Sequence, residues 1–273
     1  MRIFFRLLLP FLLLPGLQAQ SAPQAVLWEQ WLPTSVDATL SPDYTPWQAF
    51  LDRRIRPQPD AINRVDYQGV SAPERQALAN YLDHMQQLDV SRLTRRQQLA
   101  YWINLYNAGT VKVILDHYPV ASIRDIDISP GLFSDGPWGR KLFVIQGTEV
   151  SLDDIEHRIL RPIWKDNRLH YAVNCASIGC PNLQTQAFNA ANAERLLDKA
   201  AHDYINHPRG ARVDRGRLYV SSIYRWFEED FGGSEEGVIQ HLRRFADATL
   251  KQQLSGVSEI ADDDYDWSLN ELQ

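Results

Sequence analysis

The chain has 273 residues, with 28 Lys and Arg against 34 Asp and Glu, a formal charge of -6 and only two cysteines. That acidic balance argues against a nucleic-acid partner or an anionic membrane surface. Once a leader is removed, the length is enough for one domain with a full hydrophobic core.

Residues 1–19 read as a signal peptide: Arg2 and Arg6 form a charged start, Leu7 to Leu17 is apolar, and Ala19 offers a small residue before the cut. Pro10, Pro15 and Gly16 interrupt the apolar stretch, whereas a membrane anchor needs about 20 continuous apolar residues. No cysteine follows the cut site, so lipid attachment is not expected, and no later stretch is long enough to span a bilayer. The expectation is an exported, periplasmic chain that is soluble after cleavage. Residues 20–44, polar and punctuated by prolines, form an N-terminal arm, and 45–273 form a single α+β domain in which helices outnumber strands.

Ser71-x-x-Glu74 is a capping box ahead of Leu78, Tyr81, Leu82 and Met85, which predicts an amphipathic helix. A second helix starts at Thr94, with Gln97 three residues on, and runs toward His117 and Pro119. It is apolar nearly all round and should be the buried centre of the domain, packed on a small antiparallel sheet with other helices around it. Asn104 and Asn107, one turn apart, are then polar groups inside the core. They either orient a histidine or hold a substrate amide, or they satisfy loop backbone.

From Tyr118 to Lys141 the pattern breaks into prolines and glycines around Phe133 and Trp138, which predicts an ordered lid with Trp138 against a ligand. Leu142 to Ile145 reads as a strand. Ser151 to Asp154 caps a short helix, Ile155 to Arg161, stopped by Pro162. Glu156 and His157 in that helix are a second acid/base pair, or a carboxylate beside an ordinary surface histidine. Arg168 to Cys175 alternates as a strand does, with His170 and Asn174 on one face and Cys175 on the other. Then come a helix over Asn192 to Ile205, a hairpin turning at Asp214-Arg215-Gly216, an aromatic helix from Ile223 to Phe231 closed by Gly232, and a last helix from Ser234 through Leu250. The acidic run at Asp262 to Asp266 lacks the glycine and distal glutamate of a calcium loop and reads as a solvated strand edge or tail.

The reactive groups concentrate between His170 and Pro181. A thiol reacts as thiolate, so a catalytic cysteine needs an imidazole or backbone donors beside it. The small residues Ala176, Ser177 and Gly179 leave amides uncovered for an anion or a developing oxyanion. Strand parity sets His170 and Cys175 on opposite faces, whereas Cys180, on a loop, can fold back toward His170; both thiols stay candidates. One reading makes Cys180 or Cys175 a nucleophile for amide or ester chemistry, with His170 as base, Asn104 as orienting group, and Asn107, Asn174, Ser177, Trp138, Glu156 and His157 around the substrate. Another makes Cys175–Cys180 a disulfide closing a short loop of a protein that binds a small molecule or peptide without catalysis. A third is a thiol–disulfide or metal-handling accessory, although the spacing is not C-x-x-C. Four ligands at metal spacing are missing, so no metal or cofactor is expected.

Several motifs occur together: Arg64-Val65-Asp66-Tyr67, Tyr101 to Ala108, Ser151-Leu152-Asp153-Asp154-Ile155-Glu156-His157 followed by Leu160-Arg161, the His170 to Pro181 stretch, Trp226-Phe227 with Asp230-Phe231, and Tyr265 to Asn270. In this order the chain resembles the domain-of-unknown-function family DUF547, whose members occur in bacterial envelope proteins and, with added coiled coils, in plants. The resemblance supplies little about activity. The helix-then-strand layout is similar to papain- and transglutaminase-like enzymes, which carry a cysteine at the start of the helix. Thr94 to Asn107 has none, so here the nucleophile would come from Cys175 or Cys180.

Overall fold

The computed structural model describes residues 23–131 and 136–273. The predicted leader at 1–19, the first residues of the arm and Phe133 of the predicted lid lie outside the described residues. Among those described, the elements run α1 (Thr45–Arg54), β1 (Ile55–Pro57), β2 (Asn63–Val65), α2 (Ala72–Gln86), α3 (Arg95–His117), β3 (Lys141–Ile145), β4 (Thr148–Ser151), α4 (Arg161–Trp164), α5 (Ala193–Ile205), β5 (Ala211–Asp214), β6 (Arg217–Ser221), α6 (Ile223–Trp226), α7 (Glu235–Phe245), α8 (Ala248–Gln253) and β7 (Ile260–Asp264). The result is a single α+β domain.

Both capping boxes form: Ser71 with Glu74 opens α2, and Thr94 with Gln97 opens α3. Every residue of α3 from Gln97 to Val111 is buried, so this helix is the centre of the larger core. It packs on α2 and, through Gly109, on Phe143 of the antiparallel β3–β4 hairpin. A second core lies around α7, under β5 and β6, which turn at Arg215-Gly216 with both residues at positive φ. β7 pairs parallel to β6 at the sheet edge, and its Asp262 and Asp264 are exposed, as the acidic run predicts.

Four predicted elements differ. His170 is not on a strand: Asn167–Tyr171 is a 3-10 turn, capped where Asp166 accepts from the Arg168 amide. Its alternation has another cause, because Leu169 and Val173 enter the first core while Tyr171 enters the second. The turn is wedged between two cores.

Nor does Pro162 end its helix. Asp154–Leu160 widens into a π-helix and the chain continues through α4 to Trp164. The Arg161 amide reaches back to the Glu156 carbonyl, which frees the carbonyl of His157, and Pro162 has no N–H for that of Arg158. The arm takes up both, with Val26 N–H on His157 O at 3.0 Å and Trp28 N–H on Arg158 O at 2.9 Å. Relief thus comes from residues 130 positions upstream, which no local pattern could show.

The aromatic helix stops at Trp226 and gives way to a 3-10 turn at Glu228–Phe231 before Gly232, at φ 109°. The last helix breaks at extended Ala246, and Asp247 caps α8. No helix of the described residues is long and apolar enough to cross a membrane.

A Cβ built on Gly109 would lie 2.4 Å from the Phe143 ring. Alanine gains up to about 1 kcal/mol of helix propensity over glycine, but overpacking a tight core costs about 1–3 kcal/mol. Gly109→Ala should therefore lower the unfolding free energy by about 1–2 kcal/mol in urea titrations, and Phe143→Leu in the same chain should restore part of it. An alanine variant as stable as the parent would show that α3 and the hairpin do not meet this closely.

Candidate functional site

One cleft of about 600 Å³ gathers the reactive groups: Cys175, Cys180, His170, Glu156, His157 and Trp138 all line it, joined by Tyr106, Asp153, Trp226, Phe227, Tyr265 and Trp267. This volume suits a small-molecule ligand. Asn104, Asn107, Asn174 and Ser177 do not line it.

Those four residues build the site instead. Asn107 donates to Ala172 O at 2.9 Å and accepts from Asn174 N at 2.8 Å, so one buried amide holds the chain between His170 and Cys175. Asn104 does the same for Phe188, at 2.7 and 3.0 Å, so its amide is turned to that chain and makes no hydrogen bond to His170. Asn174 spans the cysteine loop, donating to Pro181 O and accepting from Ala176 N. Outside the loop the C-terminal segment is laid across it: Ile178 N donates to Ser268 O, Gly179 N to Asp266 O, and Asn270 N to Ala176 O. Gly179 is required for this approach, since a Cβ there would lie 2.9 Å from the Asp266 nitrogen. The crossing brings Tyr265 and Trp267 to the thiols.

The sulfurs of Cys175 and Cys180 are 2.6 Å apart, both free thiols, with Cys175 partly exposed and Cys180 buried. Cys175 Sγ also meets Ser177 Oγ at 3.2 Å and the Tyr265 hydroxyl at 3.0 Å, and the Ser177 amide points at it. Burial by itself would raise this thiol, but the hydrogen bonds from Cys180, Ser177 and Tyr265 outweigh it and hold Cys175 below the ordinary thiol value. Burial, with the Cys175 charge beside it, pushes Cys180 up, so Cys180 stays the donor. The uncovered amides expected from the small residues are not available. Cys175 N donates to Cys180 Sγ, Ala176 N to Asn174, Ser177 N to Cys175, Ile178 N and Gly179 N to the C-terminal segment, and Cys180 N to Ser177 O.

His170 is not a partner of either sulfur. Its Nε2 lies 2.7 Å from Asp230 Oδ2, its Nδ1 3.8 Å from Glu156 Oε1, and its ring stacks on Phe227 at 4.2 Å. Arg161, nearly fully buried, closes the back of this array. It donates to Asp230 at 2.5 Å, to the Pro23 carbonyl at 2.7 Å and to His157 Nδ1 at 3.1 Å. Because arginine can only donate, His157 Nδ1 accepts, and its proton sits on Nε2, 3.6 Å from Asp153 Oδ1. Each histidine therefore rests one nitrogen on the Arg161–Asp230 pair and turns the other to a cleft carboxylate. His157 is buried, not the surface histidine of the blander reading, and burial lowers its pKa. Against its burial, bonds from His170 and Arg161 hold Asp230 down at about 2. Asp153 still meets water in the cleft, yet the protein around it, with Glu156 and Asp154 close by, pushes it up to about 7.

Tyr106, Asp153, Arg161, Asp230 and Tyr265 are absent from the set read from the sequence. Tyr106 lies within the apolar run of α3, and Tyr265 sits in a segment that reads as an acidic tail. The signal that could have exposed them is the shared occurrence of their segments among the motifs carrying the family resemblance. The described residues include no group of three or more His, Cys, Asp or Glu side chains arranged to hold a metal ion.

No curated protein and no solved structure matches the chain. A family model does match residues 90–205, a stretch that begins just before α3, ends with α5 and includes both cysteines, His170 and the Asp153 to His157 run. Over that stretch the chain matches the family model DUF547, described as protein of unknown function.

Proposed function

We propose that the cleft is a thiol–disulfide exchange site in which Cys175 attacks and Cys180 resolves. The observation that carries this reading is the sulfur pair: two free thiols 2.6 Å apart, the partly exposed one surrounded by donors and the buried one held protonated. The Cys175 thiolate attacks one sulfur of a substrate disulfide. A Cys175–substrate bond forms, the substrate S–S bond breaks, and the expelled half leaves as a thiolate. Cys180 then attacks Cys175 Sγ, its proton passing to the departing thiolates. The products are a Cys175–Cys180 disulfide and, after one further proton from water, two substrate thiols; the reverse sequence makes a disulfide at the protein's expense. Tyr265 and Ser177 stabilise the attacking thiolate without entering the bond changes. In the periplasm, the compartment this reading takes from the leader, the resting pair is oxidised.

Cysteine-dependent amide or ester transfer is the second reading, favoured by the His170–Asp230 pair in the same cleft wall. Against it stand the six loop amides, already donated, which leave the loop no oxyanion donors.

Cys180→Ser separates the two. Under exchange it should accumulate a stable mixed disulfide on Cys175 when treated with a small disulfide, seen by intact mass, and should lose turnover at least 100-fold. A variant that turns over at the parent rate, with no trapped adduct, would favour acyl transfer.

The donors around Cys175 can be tested by alkylation of the reduced protein across pH. A thiol reacts in its deprotonated form, so a lowered pKa moves the rise in rate to lower pH. Tyr265→Phe and Ser177→Ala should each move that rise upward by about one unit, slowing reaction at pH 7 roughly tenfold. Unmoved profiles would mean that these hydroxyls do not stabilise the thiolate.

A further inference from the structure

The wall facing the thiols holds polar groups that the exchange chemistry does not use. Tyr106 is only 2 % exposed as a residue, its hydroxyl makes no hydrogen bond among the described residues, and it lines the same cleft as Glu156, Asp153 and the two cysteines. A hydroxyl that opens on a cleft with no protein partner is left for water or a ligand to satisfy. Asp153 and Glu156 are equally unserved: among the described residues neither is ion-paired to a lysine or arginine. Each approaches a histidine instead, Asp153 meeting His157 at 3.6 Å and Glu156 meeting His170 at 3.8 Å. Cations near them in the chain are engaged elsewhere, Lys141 and Arg158 on Asp154 and Arg161 on Asp230. Above this polar floor Trp138, Trp226 and Trp267 make one continuous aromatic wall, with ring centres 5.8 Å apart for Trp138–Trp267 and 5.6 Å for Trp226–Trp267.

We propose that Tyr106, Asp153 and Glu156 form a subsite for a primary ammonium group of a small ligand, with the three indoles around its aliphatic part. An ammonium has three N–H donors and no acceptor, and here two carboxylates and a phenol oxygen stand ready to accept. Desolvated cations are also attracted by indole faces. A neutral hydroxyl in the same place would leave a carboxylate uncompensated. The cleft, at about 600 Å³, has room for a small-molecule amine. Taken with the proposed exchange, on which only the next clause rests, the preferred substrates are low-molecular-weight disulfides that carry an ammonium within a few bonds of the sulfur.

The test uses the whole mature chain and a probe without sulfur. n-Butylammonium is titrated against n-butanol, followed by tryptophan fluorescence and calorimetry. Saturable binding at least tenfold tighter for the ammonium is expected. Glu156→Gln should reduce that binding at least tenfold and Tyr106→Phe about threefold, with circular dichroism and melting used to confirm that both variants fold. Equal binding of amine and alcohol, or folded variants that bind as the parent does, would overturn the subsite. A second arm compares bis(2-aminoethyl) disulfide with bis(2-hydroxyethyl) disulfide as oxidants of the cysteine pair. A tenfold preference for the amine form, lost in Glu156→Gln, is the expected result, and equal rates would remove the link between subsite and exchange. Ammonium binding with no reaction of either disulfide would leave the subsite standing and sink the exchange reading alone.

Discussion

The site depends on the amide of Asn107. It sits in the middle of the buried Gln97 to Val111 stretch of the helix, where an unpaired amide would cost about 1–3 kcal/mol, and it meets that demand by clasping Ala172 O and Asn174 N. The two bonds fix the chain between the turn that carries His170 and the loop that carries Cys175. Asn104 repeats the clasp one turn earlier on Phe188, anchoring the chain that returns from the loop. The most buried helix of the domain thereby sets the position of its most reactive loop, and the C-terminal segment closes over that loop to deliver Tyr265.

A second constraint comes from Pro162. A proline inside a helix removes a donor, and this chain accommodates it by widening the helix at Asp154–Leu160 and recruiting the N-terminal arm to the freed carbonyls. Asp153, Glu156, His157 and His170 then all line the same cleft. Arg161 ties the arm, His157 and Asp230 together from a position almost out of reach of water. A buried guanidinium is costly unless its donors are matched, and here a carboxylate, a carbonyl and an imidazole nitrogen match them.

What the sequence made legible was local. Capping boxes at Ser71 and Thr94, the Arg215-Gly216 turn and the all-round apolar character of α3 each follow from a few neighbouring residues, and each is present in the fold. Misreadings arose where distant parts of the chain decide. Arg168 to Cys175 alternates because two cores flank a 3-10 turn, a pattern indistinguishable in sequence from one sheet face and one wet face. The helix at Pro162 persists because Trp28 supplies what the proline lacks. Among the site residues, the clustering of His170, Cys175 and Cys180 pointed to the cleft, and Glu156, His157 and Trp138 line it too. Tyr106 was hidden among the core residues around it, and Asp153 behind its place in a helix cap. That the loop amides would all be spent could not be known before the C-terminal segment was seen lying across them.

The central claim is that Cys175 and Cys180 work as one reversible two-electron couple. The most direct measurement equilibrates the full chain in glutathione buffers of graded ratio, quenches with acid and an alkylating agent, and reads the intact mass. The account predicts a single transition between a doubly alkylated and an unalkylated form, with both thiols changing together within the range of ratios used. Thiols that remain free under the most oxidising buffer, or a bond that resists the most reducing one, would contradict it.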